Sequence, residues 1–499
     1  MTNLSEMLDA VRRKFEERSG LSGVRHEVIQ KPDADILVLF VAAPSERLYE
    51  VLEAVRDEVE RDYGQRPFAT LKVGAEKNLI EAPEGRLLLR VLSEIQNVNR
   101  YTFQDDFSAR YVRSVSGAEE QIVSAANHLV TGRRGAGKSM LLLFSWQQRR
   151  VLAMPSVWID MQAYSRRNDT GLIVDLWQEI LDQVSKILGD QDGYRDIVER
   201  LQACGGSLHK IRMIHPEIRR LLARFAASGR NLFIFLDDFH VLELDIQPPV
   251  LDALYSVARG NRIFLKISAI EGFVRTYDRQ NGLGLEVPQD AQTISLDYNL
   301  TTPDKATKHI EAILDGHARY SGIRSIRRLC TSQDVIARLT WVAAGVPRDA
   351  LNLFSQAMTA ASVEGRHRVS VSNVNVSASK TLGIKLKDME TDASEHAREL
   401  HALMERIRKF CIEDKRKNAF LVAIGSNEER LIMNLVSLRL LHVISEGITV
   451  GKAGRKYLWL ILDYGFYTGI RAAQSVDLFN RQSQKVAYKE LRGLPVFAG

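Results

Sequence analysis

The 499-residue chain predicts an α/β fold built on a parallel sheet covered by helices. Three observations carry this. From about residue 116 onward, short apolar runs alternate with helical patterns. One such run leads directly into Gly132-Arg133-Arg134-Gly135-Ala136-Gly137-Lys138-Ser139. Another, Leu232-Phe233-Ile234-Phe235-Leu236, is apolar throughout, as a strand buried on both faces must be, and it ends in Asp237-Asp238.

Taken in order, residues 1–75 read as a small α/β unit. Leu4–Glu17 is an amphipathic helix, and Val24–Gln30 and Ile36–Ala42 are strands about a Lys31-Pro32-Asp33 turn. Ser45 suits the N-cap of a helix to Tyr63 with a stripe at Leu48, Val51, Leu52 and Val55, and Phe68–Val73 closes the unit as a strand. Residues 76–115 form a connector with one helix near Gly85–Val98. Residues 116–300 supply the sheet, with strands at Asn127–Thr131, Val157–Ala163, Leu232–Leu236, Ile263–Ile267 and Thr293–Leu296. Helices at Lys138–Leu152, Gly171–Leu188, His215–Ala227 and Pro248–Arg259 join them. Residues 301–379 turn helical, as Thr302–Leu314, Ser332–Ala343 and Arg348–Ser362. A polar stretch, Ser370–Asp392, leads to a last domain at 395–470. It reads as helix Glu399–Cys411, short strand Asn418–Ile424, helix Asn427–Val443 and a hairpin of Gly447–Val450 with Tyr457–Asp463. Residues 471–499 are a tail.

Composition bounds the function. The chain is 45% hydrophobic and 26% charged, with apolar runs of strand length, which excludes a helical membrane span and a disordered chain. Met1–Glu16 lacks the pattern of a secretory signal, and Cys204, Cys330 and Cys411 lack metal spacing, so a reducing, cytoplasmic location is expected. Residues 401–499 hold 16 basic and 9 acidic residues, an excess of seven against +6 for the whole chain. Such an excess suits either a solvated surface or a patch for phosphate backbones.

Gly132–Ser139 fits G-x-x-x-x-G-K-[ST] in full. The spacing has a physical cause. Glycines let successive backbone N–H groups curl around phosphates, and the following helix directs its positive end at them. Lys138 is then the catalytic cation at the β/γ-phosphates, and Ser139 a Mg²⁺ ligand. Gly132, Arg133, Arg134, Gly135, Ala136, Gly137, Lys138, Ser139 and Met140 are the expected ATP-binding residues. At the carboxyl end of Leu232–Leu236, Asp237 is the second Mg²⁺ ligand and Asp238 orients or deprotonates the attacking water. In Ile263-Phe264-Leu265-Lys266-Ile267-Ser268 a polar residue either senses the γ-phosphate or merely ends a strand. Arg275 is the chosen candidate for an arginine finger, with Arg279 the alternative. In Gly345-Val346-Pro347-Arg348, Gly345 ends one helix and Pro347 starts the next; Arg348 is a helix-start residue or a phosphate sensor.

With these motifs in view, the chain resembles AAA+ and STAND-class P-loop ATPases, above all the initiator-like, origin-recognition-complex-like ones, across roughly residues 110–465. The resemblance implies a helical lid whose angle follows nucleotide state and a C-terminal winged helix that grips DNA or a partner. Asp238 stands where AAA+ proteins place Glu, as in STAND switches, which implies slow hydrolysis. The function so implied is an ATP- and Mg²⁺-dependent ATPase that oligomerises with itself and acts on duplex DNA. The alternative is a STAND-like signalling ATPase, in host defence for example, that recruits a protein effector. A P-loop kinase is disfavoured, because no acceptor-pocket motif is present and the lid and basic domain would go unused.

Overall fold

Two compact units divide the computed structural model, which describes all residues except 1, 33, 75–77, 96–97, 104, 109, 115, 166, 190–191, 271–272, 297–302, 393–396, 450–453, 469–492 and 498–499. One unit takes residues 1–97, 109–112 and 298–499; the other takes 98–108 and 113–297.

The first unit begins with α1 (Thr2–Ser19), β1 (Arg25–Gln30), β2 (Asp35–Val41), α2 (Glu46–Tyr63), β3 (Phe68–Val73) and α3 (Pro83–Glu94). β2 pairs antiparallel with β1 and parallel with β3. Its alternate residues Leu37, Leu39 and Val41 share a core with Leu48, Leu52, Val55 and Val59 of α2 and with Val11 and Phe15 of α1. Ser45 caps α2, its hydroxyl accepting from the Leu48 backbone N–H at 3.3 Å, and Gly64 ends the helix at φ 71°. α3 contributes Leu88 and Leu92 to a second core, with Ala42, Leu79 and Ile80 and otherwise with residues that follow 302.

The other unit contains α4 (Asp105–Ser108), α5 (Ala118–Ile122), β4 (His128–Thr131), α6 (Lys138–Val151), β5 (Ser156–Asp160), α7 (Gly171–Leu188), α8 (Asp192–Gln202) and α9 (Leu208–Ala227). It continues with β6 (Leu232–Asp237), α10 (Gln247–Ala258), β7 (Ile263–Ala269), the two-residue strands β8 (Tyr277–Asp278) and β9 (Leu283–Gly284), and β10 (Gln292–Ser295). Five strands form one parallel sheet in the order β10-β4-β7-β6-β5, so all their carboxyl ends meet on one rim. Leu232–Leu236 is buried along its whole length, which explains its unbroken apolar sequence. The strand expected at Val157–Ala163 stops at Asp160. The Asp160 carboxylate accepts from Gln162 N at 3.0 Å and starts a 3₁₀ turn, Met161–Tyr164.

The first unit resumes with α11 (Pro303–Tyr320), α12 (Asp334–Val342), α13 (Pro347–Val363) and α14 (Val371–Asp392). α15 (Ala397–Lys409), β11 (Ala419–Ala423), α16 (Glu429–Ser437), β12 (Leu441–Thr449), β13 (Lys456–Leu462) and α17 (Gly465–Thr468) follow. Gly345, at φ 76°, closes α12 with its N–H on Thr340 O at 2.9 Å. Two expectations need correction here. The polar stretch Ser370–Asp392 is a 22-residue helix. Val374, Ala378 and Leu382 recur every four residues as its buried stripe, and Ser370 and Asn373 cap each other reciprocally. The helix expected at Asn427–Val443 ends at Ser437, where Arg439 takes φ 61°, and Leu441–Val443 pair instead with Leu462–Leu460 of β13. A short apolar run is ambiguous between the two structures, and here sheet pairing decides. The hairpin turn, with Lys452, lies outside the described residues. The C-terminal sheet runs β11-β13-β12, antiparallel.

Among the described residues no helix is long and apolar enough to cross a membrane. Cys204, Cys330 and Cys411 are buried and unpaired.

Candidate nucleotide site

The rim gathers its chemistry from three strand ends. Between β4 and α6 the glycine loop needs conformations that side chains resist. Gly137 sits at φ 101° immediately before α6, and a Cβ on Gly132, at φ 156°, would stand 3.2 Å from Ala136 Cβ. Lys138 is buried, and its Nζ donates to the carbonyls of Gly132 at 3.0 Å and Arg133 at 3.1 Å, so the ammonium lies across the loop. Arg134 is exposed, Arg133 and Met140 half-buried.

Opposite, the Asp237 carboxylate closes β6. Its Oδ1 accepts from Ser139 Oγ at 3.0 Å and from Ser268 Oγ, at the end of β7, at 2.6 Å. Ser268 in turn accepts from Asp238 N at 2.8 Å. Burial, and then the adjacent Asp238 charge, raise the Asp237 carboxyl to about 6 against the pull of the two serines. Asp238 adopts φ 57°, which turns its side chain away from the strand line. Its Oδ2 accepts from Gln162 Nε2 at 3.2 Å, and His240 Nδ1 lies 3.9 Å from its Oδ1. Burial pushes His240 down to about 4, against the attraction of Asp238, so the imidazole is neutral at pH 7.

The set fits Mg²⁺ and a nucleotide triphosphate. A hydroxyl and a carboxylate are hard oxygen donors, and a buried carboxylate whose proton is held too tightly lacks positive charge nearby. The loop's inward backbone and Lys138 match a polyphosphate. The chemistry such an ion would supply is neutralisation of phosphate charge. The chain's own residues would hold that ion (Ser139, Asp237), meet the phosphates (Lys138) and orient water (Asp238).

Other expected residues fall elsewhere. Lys266, a candidate phosphate sensor, lies in the middle of β7, and its side chain reaches the residues that lead into β4 rather than the rim. Its Nζ donates to Ser124 O at 2.7 Å and Ala126 O at 2.8 Å and lies 2.9 Å from His128 Nδ1; burial pushes it down to about 6. Ser268 is the polar residue of that strand at the rim. Arg275 is paired with Asp245 at 3.1 Å and Asp278 at 3.0 Å, and Arg279 is exposed. Arg348 belongs to the other unit, exposed in the first turn of α13. Sequence reasoning missed Gln162 and His240. Their only signal was a place within two residues of an acidic strand end.

Residues 197–338, under a third of the chain, match the family model described as ORC-CDC6-like. No curated protein matches the sequence. Among solved structures, the Cdc6p of Pyrobaculum aerophilum is 14% identical, with 76% of this chain and 98% of that one covered and a TM-score of 0.37. The ORC1 protein of Aeropyrum pernix, solved in complex with DNA, is 17% identical, with 76% and 97% covered and a TM-score of 0.39. The RuvB Holliday junction branch migration motor of Thermotoga maritima is 12% identical, with 72% and 97% covered and a TM-score of 0.35. The family match includes β6 and β7 but not the glycine loop, which stands on its own residues. Residues 197–338 are thus similar to the ORC-CDC6-like family, in line with the initiator-like resemblance read from the motifs.

Proposed function

We propose that the chain is an ATP- and Mg²⁺-dependent switch that hydrolyses ATP slowly, assembles with copies of itself and acts on duplex DNA. The observation that carries this is the Ser139–Asp237–Ser268 cluster facing Lys138 across the glycine loop. Slow turnover is supported by Asp238, a short side chain already engaged by Gln162. Arg275 is the proposed arginine finger. Its bond to Asp245, whose side chain is 96% exposed, costs little to break, while that to Asp278 must also open in favour of a neighbour's nucleotide. Arg348 is proposed to couple nucleotide state to assembly.

The proposed DNA contact is the C-terminal domain, whose helix–strand–helix–hairpin order suits a winged helix. Lys409, Lys415, Arg416, Arg455 and Lys456 are exposed there, whereas Arg406 and Arg408 are paired with Glu428 and Glu405. Three buried, unpaired thiols accord with a cytoplasmic setting. The deciding experiment is ATP turnover by the purified chain with and without duplex DNA, with assembly followed in parallel. DNA-stimulated turnover supports the proposal; turnover and assembly indifferent to DNA, with nucleotide-dependent protein capture, favour the signalling reading instead.

A further inference from the structure

The amino ends of β5, β6 and β7 form the rim opposite the glycine loop, and this rim is an arginine surface. Ser156 pairs with Phe233 and Leu232 with Ile263, so the residues just before the three strands stand side by side. Arg230 precedes β6, and Arg262 immediately precedes β7 with its Nε donating to Asn231 Oδ1 at 3.0 Å. Arg150 comes to the same edge because Ala153 N folds back onto its carbonyl at 3.1 Å on the way into β5. Arg259 ends α10. Arg219 of α9 joins it, since its carbonyl accepts from Asn261 Nδ2 at 3.1 Å and its Nη2 lies 3.2 Å from where a Gly260 Cβ would be.

All five side chains are exposed, and none is ion-paired with a described acidic residue. Arg262 holds φ 53°, a left-handed backbone suited to glycine rather than arginine. Guanidinium groups have the fork geometry that binds phosphate oxygens in pairs.

We propose that this rim is a contact for the phosphate backbone of duplex DNA, independent of the C-terminal domain. The charge spacing matches. Three adjacent strand starts span about 10 Å and carry Arg150, Arg230 and Arg262, and the backbone strand of a duplex that faces them presents about three phosphates along that length. Val151, Leu152 and Met154 are exposed beside Arg150. An acidic protein partner would bury them, which makes their replacement the control that separates such a partner from a phosphate backbone.

The test uses the full chain and a labelled duplex DNA of about 30 base pairs of mixed sequence, with anisotropy read from about 0.05 to 0.3 M salt. In the combined variant Arg150→Ser, Arg230→Ser and Arg262→Gly, the slope of log affinity against log salt becomes shallower by about 2.7, for three phosphates released. Lysine at all three positions restores it. The glycine at 262 relieves a left-handed residue, so thermal unfolding of the variant verifies that a lost slope is not lost fold. An unchanged slope overturns the proposal. So does a slope that depends on the rim with duplex RNA but not with DNA, or DNA binding lost on replacing Val151, Leu152 and Met154 by Ser. Replacing Arg455 and Lys456 by Ser, in a separate variant, reports on the C-terminal contact alone, so either contact can fail without the other.

Discussion

Asp237→Asn separates the cost of the metal site from its use. The Asp237 carboxyl rises from its usual 3.8 to about 6 in the folded chain. Between those values the folded state holds a proton that the unfolded state has released, so stability falls as pH rises through this window. Above about pH 6 the whole difference is lost. Some two units at 1.36 kcal/mol each amount to about 3 kcal/mol, on the order of half of an ordinary domain's margin. Asparagine keeps an acceptor for Ser139 and Ser268 but carries no charge. In EDTA at pH 7 the variant is therefore expected to be more stable than the parent by up to about 3 kcal/mol in urea unfolding, with the gain shrinking toward pH 4. Saturating Mg²⁺ and ATP should stabilise the parent and not the variant. A variant less stable than the parent at pH 7 without metal, or a gain that does not depend on pH, would refute the reasoning.

Three further outcomes follow from the same geometry. Lys138→Ala should weaken ATP binding by at least tenfold in a fluorescent-nucleotide titration and lower stability by about 1–3 kcal/mol while the chain still folds, because the Gly132 carbonyl it releases is buried. Asp238→Asn should bind ATP normally and lower turnover by 10²–10⁴-fold, on the order of a lost general base; Gln162→Ala, which frees Asp238 without removing it, should shift turnover by about fivefold, for one hydrogen bond of about 1 kcal/mol. Arg348→Ala should bind ATP normally and lose nucleotide-dependent assembly in light scattering; assembly at the parent's level would make it a plain helix-start residue.

The parallel sheet was legible because unbroken apolar runs such as Leu232–Leu236 have no other comfortable place than between two helical layers. The glycine loop was legible because its spacing is dictated by phosphate geometry rather than by neighbours distant in sequence. What escaped depends on such neighbours. Whether Leu441–Val443 continues a helix or joins a sheet is decided by β13, and whether Lys266 or Ser268 meets the rim depends on the register of β7 against β4, where Lys266 pairs with His128. Gln162 belongs to the same class. Nothing near it in sequence reveals Asp238, 76 residues away.

The first unit also shows how the proposed lid and C-terminal domain can respond together. Trp341 and Ala344, at the end of α12, pack with Ala419, Leu421, Trp459 and Ile461 of the C-terminal sheet. Beside Arg348, Asp349 pairs with Arg439 at the end of α16. Deeper in, Lys385 of α14 donates to Asp463 Oδ2 at 2.7 Å, and His442 Nε2 lies 3.0 Å from the same oxygen. Burial alone would raise the Asp463 carboxyl, but Lys385 and then His442 overcome it and hold it well below the usual carboxylate range. Its contribution is present above the unfolded value near 3.9 and is lost only as pH falls through the lower folded value. Removing one partner of such a buried pair typically costs about 3–5 kcal/mol, a large share of a domain's margin, so α14 and the C-terminal sheet are firmly joined. A signal that reaches Arg348 therefore acts on a body already locked to the domain proposed to hold DNA, and a flexible relay between the two is not required.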